Sequence, residues 1–174
     1  MSEIDWDDII KWDQQYIVHS LLSAEEYGTT PVARTEGNYV ILPDGTRLLD
    51  FYNQLFCVNA GQTNKYINDK IKAALERYGF LMESYTSDYK AKAAKMIVGD
   101  ILGPDKWAKK IRFANTGSEA VEIACLFARL FTGRPLVVGR EYAYHGITSG
   151  ASSLSGLRSM KSLLATDKAG YSRS

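Results

Sequence analysis

Residues 111–124, IRFANTGSEAVEIA, contain the change of pattern that decides the predicted fold of this 174-residue chain. A short apolar run at 110–114 predicts a strand, which ends at Asn115-Thr116-Gly117-Ser118. From 118 to 132 apolar residues recur with helical spacing and further apolar residues widen the face, which predicts a largely buried helix. Gly133 is expected to end that helix in the left-handed conformation.

A second strand is predicted directly after this helix, in the segment LVVGR at residues 136–140. Strand, helix and strand within about 30 residues make a βαβ unit. Its two strands are expected to be parallel with a right-handed crossover. The chain is therefore predicted to be an α/β protein, in which the loops after both strands lie at the same edge of the sheet.

The turn at residues 115–118 is typical of an anion site. The first N–H groups of a helix have no intrahelical partner and lie at the positive end of its dipole. Gly117 lets a ligand approach the backbone, and Ser118 offers both an N–H and a hydroxyl, an arrangement that fits a phosphate. The alternative is a plain N-cap, in which Ser118 with Glu119 stabilises the helix without a ligand. These residues alone leave both interpretations open.

Tyr144-His145-Gly146 follows the second predicted strand, so the parallel topology brings it to the same edge as residues 115–118. An aromatic ring at that edge can stack on a planar heteroaromatic ligand. The alternative is a tyrosine that packs beneath its loop and a histidine that backbone carbonyls satisfy. For His145 taken alone, that alternative is the better interpretation.

The remainder of the chain is predicted to contribute helices and one hairpin. The hairpin is GNYVILPDGTRLLDF at residues 37–51, with a turn at Pro43-Asp44-Gly45. Helices are predicted at 5–18, within 63–79 with Thr63 or Asn64 as cap, and at 87–102. After Gly150 the sequence is rich in serine and predicts no further element.

The composition is that of an ordinary globular protein, with 45% hydrophobic residues, 24% charged residues and a net charge of +1. No basic excess indicates a nucleic-acid partner, and no run of about 18 apolar residues indicates a membrane span. The acidic start lacks the apolar segment of a signal peptide, so a cytoplasmic location is expected. Cys57 and Cys125 are predicted to be buried free thiols. Together with His19 and His145 they show no metal-ligand spacing, so no metal site is predicted.

Two motifs in order, FANTGSEAVEIACLFARLFTGR at 113–134 and YAYHGITSGASSLSG at 142–156, resemble the class III (subgroup II) aminotransferases. These are pyridoxal-phosphate enzymes of fold type I, the aspartate aminotransferase-like α/β fold. The hairpin and NAGQTNKYINDKIKAAL at 59–75 are similar to the N-terminal region of that family. The resemblance implies that residues 1–60 are an N-terminal segment that contributes to the small domain. It implies that residues 61–174 are the first, truncated part of the large parallel or mixed-sheet domain.

The resemblance also implies a cofactor, pyridoxal 5′-phosphate, and its binding residues. Gly117 and Ser118 match the pair that binds the cofactor phosphate, and Tyr144 matches the aromatic residue that stacks on the pyridine ring, with His145 beside it. No catalytic residue is assigned, because the family's Schiff-base lysine and its pyridinium-pairing aspartate lie well downstream of this motif. Lys161 and Lys168 follow the motif too closely to match, so the chain alone is expected to lack transaminase activity.

The function implied by the resemblance is transfer of an amino group from an amine or amino acid to a 2-oxo acid by a homodimer. An ω-amino acid or taurine is the suggested donor. The alternatives are an aminomutase or epimerase of the same fold, or a catalytically incomplete truncated fragment. Many family members have Gly-His where this chain has Gly61-Gln62, and Trp-His-Pro where it has Val18-His19-Ser20. Both departures lie near the family's substrate pocket and so bear on the choice of substrate.

Overall fold

The computed structural model describes residues 4–18, 30–103 and 107–157. It divides into two compact units, Met1–Tyr85 and Thr86–Ser174. The domain boundary predicted after residue 60 concerns the complete fold and stays a prediction. The described parts of the chain contain no helix long and apolar enough to cross a membrane.

The first unit begins with helix α1 (Trp6–Tyr16), which confirms the helix predicted at residues 5–18. Asp5 caps it, since its carboxylate accepts hydrogen bonds from the N–H groups of Asp7 at 3.0 Å and Asp8 at 3.2 Å. The acidic residues of this first turn also lie at the positive end of the helix dipole. Capping and charge therefore set where the helix begins.

A three-stranded antiparallel sheet follows, in the order β1 (Arg34–Glu36), β2 (Tyr39–Ile41), β3 (Arg47–Leu49). The hairpin β2–β3 is confirmed, with Tyr39 opposite Leu49 and Ile41 opposite Arg47. At its turn the Asp44 carboxylate accepts from the N–H of Thr46 at 2.9 Å, and Gly45 has φ +85°. Strand β1 was not predicted, because its sequence, RTE, has no apolar alternation.

Element α2 (Asn53–Phe56) is a single helical turn of left-handed hand, with φ between 48° and 65° at all four residues. None of them is glycine, so the conformation costs roughly 1–2 kcal/mol per residue. Two side-chain bonds hold the turn. Asn53 donates to Asn59 at 2.8 Å, and Gln54 donates to Asp50 at 3.0 Å. This turn is the most strained backbone among the described residues.

Helix α3 (Lys65–Arg77) confirms the helix predicted within residues 63–79. Its cap is Asn64, whose side-chain oxygen accepts from the N–H of Ile67 at 3.3 Å. Thr63, the other candidate cap, instead donates its hydroxyl to the Thr35 carbonyl at 3.4 Å. The side chain of Asn64 thus resolves the choice that the sequence left open.

The second unit opens with α4 (Asp88–Ala94), which continues without a break as a π-helix (Lys95–Ile101). Together they cover the helix predicted at residues 87–102. Ser87 caps its start by accepting from the N–H of Lys90 at 3.3 Å. The wider π turn was not predicted, since apolar spacing does not separate the two kinds of turn.

Helix α5 (Gly117–Thr132) confirms the central helix, and Gly133 ends it at φ +68° as expected. The parallel strands predicted at 110–114 and 136–140 are not formed, which corrects that part of the prediction. A strand exists only where a neighbour accepts its hydrogen bonds, and neither segment pairs with a strand among the described residues. A parallel bridge links Glu141 and Gly156 in this region.

The prediction that α5 is largely buried is also wrong for the described residues. Cys125 is its one buried residue, whereas several large apolar side chains on the same helix are exposed: Leu126, Phe127, Leu130 and Phe131. The physical reason is the absent sheet, because unpaired segments provide no surface for that face. Cys57 is likewise exposed rather than buried, and its thiol donates to the Leu55 carbonyl at 3.4 Å.

Helix α6 (Ser149–Leu154) packs against α5 and was not predicted. Its buried side is made of small residues: Ala151 is fully buried, Ser152 is 2% exposed, and Ser155, directly after the helix, is fully buried. Because these side chains are small, they produce no periodic pattern of apolar residues in the sequence. They nevertheless allow the two helices to pack closely. This helix lies directly after the Tyr-His-Gly motif and so positions it.

Candidate functional site

The start of α5 is capped by Thr116, not by Ser118. The Thr116 hydroxyl accepts from the N–H of Glu119 at 3.1 Å, and the Glu119 carboxylate accepts from the N–H of Asn115 at 2.9 Å. This reciprocal arrangement resembles a capping box and satisfies two donors. The interpretation of Ser118 as a plain N-cap is therefore wrong, and its hydroxyl has a different partner.

Donors and open space remain at the tip of the helix. The N–H groups of Gly117 and Ser118 have no hydrogen-bond partner within the described ranges. A Cβ added at Gly117 would meet no atom within 4 Å, so the backbone can be approached there from outside. The tip is also the positive end of a 16-residue helix. Two free donors, an open glycine and a positive dipole together fit a phosphate group.

Ser118 connects the helix start to the loop that carries the second motif. Its Oγ accepts a hydrogen bond from the N–H of Ile147 at 3.1 Å. Gly146 packs directly against it, because a Cβ added at Gly146 would overlap Ser118 Oγ and crowd the Ser118 backbone. Gly146 is also buried at φ +125°, which disfavours any side chain. The structure thus brings together the two motifs that the sequence singled out, although no parallel sheet lies beneath them.

Tyr144 and His145 lie in this loop with different exposure. Tyr144 is 55% exposed, so its ring does not pack beneath the loop and is available to a ligand. His145 is half-buried, and its backbone N–H donates to the Ser155 hydroxyl at 2.9 Å. The backbone of the histidine therefore anchors the loop, while the tyrosine presents a free aromatic face.

Glu122 belongs to this site and was missed by the sequence analysis. Its Oε1 accepts three hydrogen bonds, from the Thr148 hydroxyl at 2.7 Å, the Gly150 N–H at 2.9 Å and the Ala151 N–H at 3.2 Å. The Thr148 hydroxyl, with smaller contributions from the two N–H groups, holds the pKa of the Glu122 carboxyl below its usual value despite desolvation. One signal was present: Glu122 lies one helical turn after Ser118 and so shares its face.

Some predicted features lie outside the described residues. These are Lys161 and Lys168, which follow the motif too closely to match the family's lysine, and His19 with Ser20 of the segment that the resemblance places near a substrate pocket. Within the described ranges, no group of three His, Cys, Asp or Glu side chains is placed to hold a metal ion.

Comparison with known proteins identifies a family for this arrangement. The family Aminotransferase class-III matches residues 22–173. An S-selective transaminase from Arthrobacter sp., solved with alanine bound, is 54% identical with a TM-score of 0.84, over 90% of this chain and 34% of that protein. Taurine:2-oxoglutarate aminotransferase from Bifidobacterium kashiwanohense, solved with PLP and glutamate, is 31% identical with a TM-score of 0.85, over 92% and 35%.

An enzyme with a different reaction name is also similar. Glutamate-1-semialdehyde 2,1-aminomutase from Thermomicrobium roseum is 34% identical over 128 residues, 71% of this chain and 28% of that protein. The chain thus spans about a third of the length of the proteins it matches. The structural agreement confirms the predicted α/β fold, that of the N-terminal portion of fold type I transaminases. The chain belongs to the class III aminotransferases.

Proposed function

We propose that this chain supplies the phosphate-binding part of a pyridoxal 5′-phosphate site, in an enzyme that moves an amino group from an amine or amino acid to a 2-oxo acid. The observation that carries the proposal is the tip of α5. There two unpaired N–H groups and an open Gly117 adjoin Ser118, which is bonded to the Tyr144–Ile147 loop. Family membership supplies the reaction class and the cofactor.

The proposed phosphate contacts follow from the donors at this tip. The N–H groups of Gly117 and Ser118 donate to phosphate oxygens, and charge-assisted bonds of this type are roughly twice as strong as neutral ones. Ser118 Oγ already accepts from Ile147, which leaves its hydroxyl hydrogen for the phosphate. One side chain therefore fixes the loop and contacts the ligand at the same time.

The ring contacts are assigned to the loop. Tyr144 is exposed and lies in the same loop as the Ile147 N–H, so we assign it to stacking on the pyridine ring. His145 keeps the loop in place through its backbone bond to Ser155. When bound, the cofactor supplies the electron sink for chemistry at the amino-bearing carbon. The residues of this chain bind and orient it.

The donor, the assembly and the location are parts of the same proposal. A donor such as an ω-amino acid or taurine is supported by the similarity to the taurine aminotransferase, and a small amino acid by the S-selective transaminase solved with alanine. The active form is proposed to be a cytoplasmic homodimer. The Schiff-base lysine is proposed to come from outside the residues described above.

A second candidate is an aminomutase, which keeps the amino group on the same carbon skeleton. The observation behind this candidate is the 34% identity to glutamate-1-semialdehyde 2,1-aminomutase, beside 54% to the S-selective transaminase. An epimerase, or an incomplete fragment without activity of its own, would share the same phosphate contacts. These candidates differ in the fate of the amino group rather than in the residues of this site.

The test is amino transfer by the full-length protein that carries these residues. The purified protein is loaded with pyridoxal 5′-phosphate and incubated with taurine, β-alanine or alanine, with pyruvate or 2-oxoglutarate as acceptor. Formation of a new amino acid from the acceptor is expected. Bound cofactor with conversion of a single substrate and no acceptor would indicate the aminomutase or epimerase. Failure to bind the cofactor would refute the proposal.

A further inference from the structure

We propose that Glu122 is a positioning residue for the cofactor loop, which it controls through α6 without contacting the cofactor. This inference rests on the proposed function for the identity of the ligand. It concerns a different property, the order of residues 143–151, which can be measured with or without the ligand. Three consecutive links carry it.

The first link joins α5 to the start of α6. Thr148 is the residue that precedes α6, yet its hydroxyl makes no cap bond to that helix. It donates instead to Glu122 Oε1, and the same oxygen accepts the N–H groups of Gly150 and Ala151. Those N–H groups belong to the first turn of a helix, where intrahelical partners are lacking. A carboxylate from another helix thus performs the capping that Thr148 does not.

Close packing confines this first link to one geometry. A Cβ added at Gly150 would overlap the Glu122 carboxylate, so the backbone lies directly on the carboxyl group. Hydrogen bonds to a charged acceptor are stronger than those between neutral groups. With three such bonds on one oxygen, Glu122 is the principal polar contact between α5 and the start of α6.

The second link joins α6 to the loop. Ser155 is fully buried, and its hydroxyl donates to the Ala151 carbonyl at 3.3 Å while its Oγ accepts from the His145 N–H at 2.9 Å. The next residue, Gly156, donates its N–H to the Ala143 carbonyl at 2.8 Å. The loop is therefore hydrogen-bonded to the far end of α6 at two points. Where α6 begins decides where those two points lie.

The third link joins the loop back to α5 at the proposed phosphate site. The loop returns to α5 through the bond from the Ile147 N–H to Ser118 Oγ, with Gly146 packed against the same serine. Ser118 and Glu122 lie one turn apart on α5, so the first and the third link start from the same helix. Loss of the Glu122 contact should leave Tyr144 attached to α5 mainly through Ser118.

The experiment compares Glu122→Ala with Glu122→Gln in the full-length protein. Alanine removes the acceptor, whereas glutamine keeps an acceptor oxygen on a side chain of the same shape. The matched control is Asn64→Ala, which removes the cap of α3 in the other compact unit and so lowers stability by a comparable kind of loss. Cofactor affinity is measured by absorbance titration, and order by hydrogen exchange of the amides at 143–151.

Glu122→Ala should weaken pyridoxal 5′-phosphate binding about tenfold, the effect of losing one net charge-assisted bond. It should also speed amide exchange at 143–151. Glu122→Gln should remain within about threefold of the parent, and Asn64→Ala should change neither quantity. If Glu122→Ala lowered stability as Asn64→Ala does but left affinity and exchange at 143–151 unchanged, the positioning role would be wrong.

A failure of the positioning role can be told apart from a failure of the proposed function. Should the parent protein bind no pyridoxal 5′-phosphate, the proposed function fails, and the exchange rates alone decide the inference. Faster exchange confined to residues 143–151 in Glu122→Ala would then support the positioning role. Unchanged exchange would overturn it.

Discussion

The β2–β3 hairpin and the segments on either side of α5 were all predicted to be strands, and only the hairpin formed. The hairpin strands are joined by a short turn, so each finds its hydrogen-bond partner within about ten residues. The segments at 110–114 and 136–140 are joined by a helix and would need a parallel neighbour. In an antiparallel hairpin the pairing strand is the next segment of the chain. Parallel strands instead need neighbours that come from more distant residues of the sheet.

The same contrast separates the two ends of α5. Its first turn is fixed by hydrogen bonds, with Thr116 and Glu119 forming the cap and Ser118 bonded to the Tyr144–Ile147 loop. Its middle and last turns expose Phe127 and Phe131, which are 57% and 93% accessible. The proposed site is therefore held together by hydrogen bonds between α5, α6 and the loop between them, and not by strands of a sheet. This arrangement can be tested by comparing substitutions.

The largest effect is expected from two glycines that differ only in their surroundings. Gly146→Ala should destabilise the second unit by about 3 kcal/mol or more, because the methyl group overlaps Ser118 and the backbone has φ +125°. Gly117→Ala should leave stability unchanged or slightly raised, since the space is open and alanine favours helix. Urea unfolding measures both.

Both variants should bind the cofactor less tightly than the parent, although only Gly146→Ala is expected to lose stability. At Gly117 the added methyl group takes the space proposed for the phosphate, so binding of pyridoxal 5′-phosphate should fall about tenfold or more. A Gly117→Ala protein with unchanged affinity would show that no ligand approaches this glycine. A Gly146→Ala protein of full stability would show that the loop does not pack on Ser118.

A smaller effect of unusual sign is expected in the strained turn of the first unit. Leu55→Gly should raise stability by about 0.5–1 kcal/mol, because relief of the left-handed strain outweighs the entropy that glycine costs. Leu75→Gly is the matched control in α3, with 63% exposure against 62% for Leu55. It should lower stability by about 1 kcal/mol. Equal destabilisation by both substitutions in urea would contradict the left-handed turn.

The smallest expected effect is a dependence of stability on pH, to which one carboxyl group in each unit contributes. The Thr46 N–H, then the Thr46 hydroxyl, lowers the pKa of Asp44 in the hairpin turn, and the Thr148 hydroxyl lowers that of Glu122. A lowered carboxyl pKa stabilises the fold above the unfolded-state pKa, and this contribution is lost as the pH falls through the folded-state pKa. Stability should therefore decline below about pH 4.5.

The two carboxyls can be separated by substitution. Asp44→Asn should flatten the acid decline for amides of the hairpin, and Glu122→Gln should flatten it for amides at 143–151. Hydrogen exchange between pH 3 and 6 resolves the regions, with each variant as the control for the other. A decline that neither variant alters would assign the acid sensitivity to other groups.

Features set by neighbouring residues could be predicted from the sequence. The starts of α3 and α4, the hairpin turn and the glycine at the end of α5 all depend on residues within a few positions, although the cap of α3 was left open between Thr63 and Asn64. The same local reasoning offered an anion site at Gly117 and Ser118 beside a plain N-cap, and the anion site stays a prediction. The N-cap alternative named Ser118, whereas the cap is Thr116, because both residues carry a suitable hydroxyl.

Features set by distant contacts or by small residues could not be predicted. The left-handed turn at Asn53–Phe56 contains no glycine, the residue by which such a turn is usually predicted. Helix α6 is buried through Ala151, Ser152 and Ser155, whose side chains are too small to form a hydropathy pattern. The role of Glu122 depends on donors 26 to 29 residues away, which only the folded chain brings near.

Titration of the full-length apo-protein with pyridoxal 5′-phosphate, in the parent, Ser118→Ala and Ser149→Ala forms, tests the central claim most directly. Ser118→Ala removes a hydroxyl that fixes the loop and is proposed to donate to the phosphate, so binding should weaken by about 1–3 kcal/mol, roughly five- to 150-fold. Ser149→Ala removes an exposed hydroxyl of α6 and should bind as the parent does. Equal affinity of all three proteins would contradict the assignment of the cofactor phosphate to the start of α5.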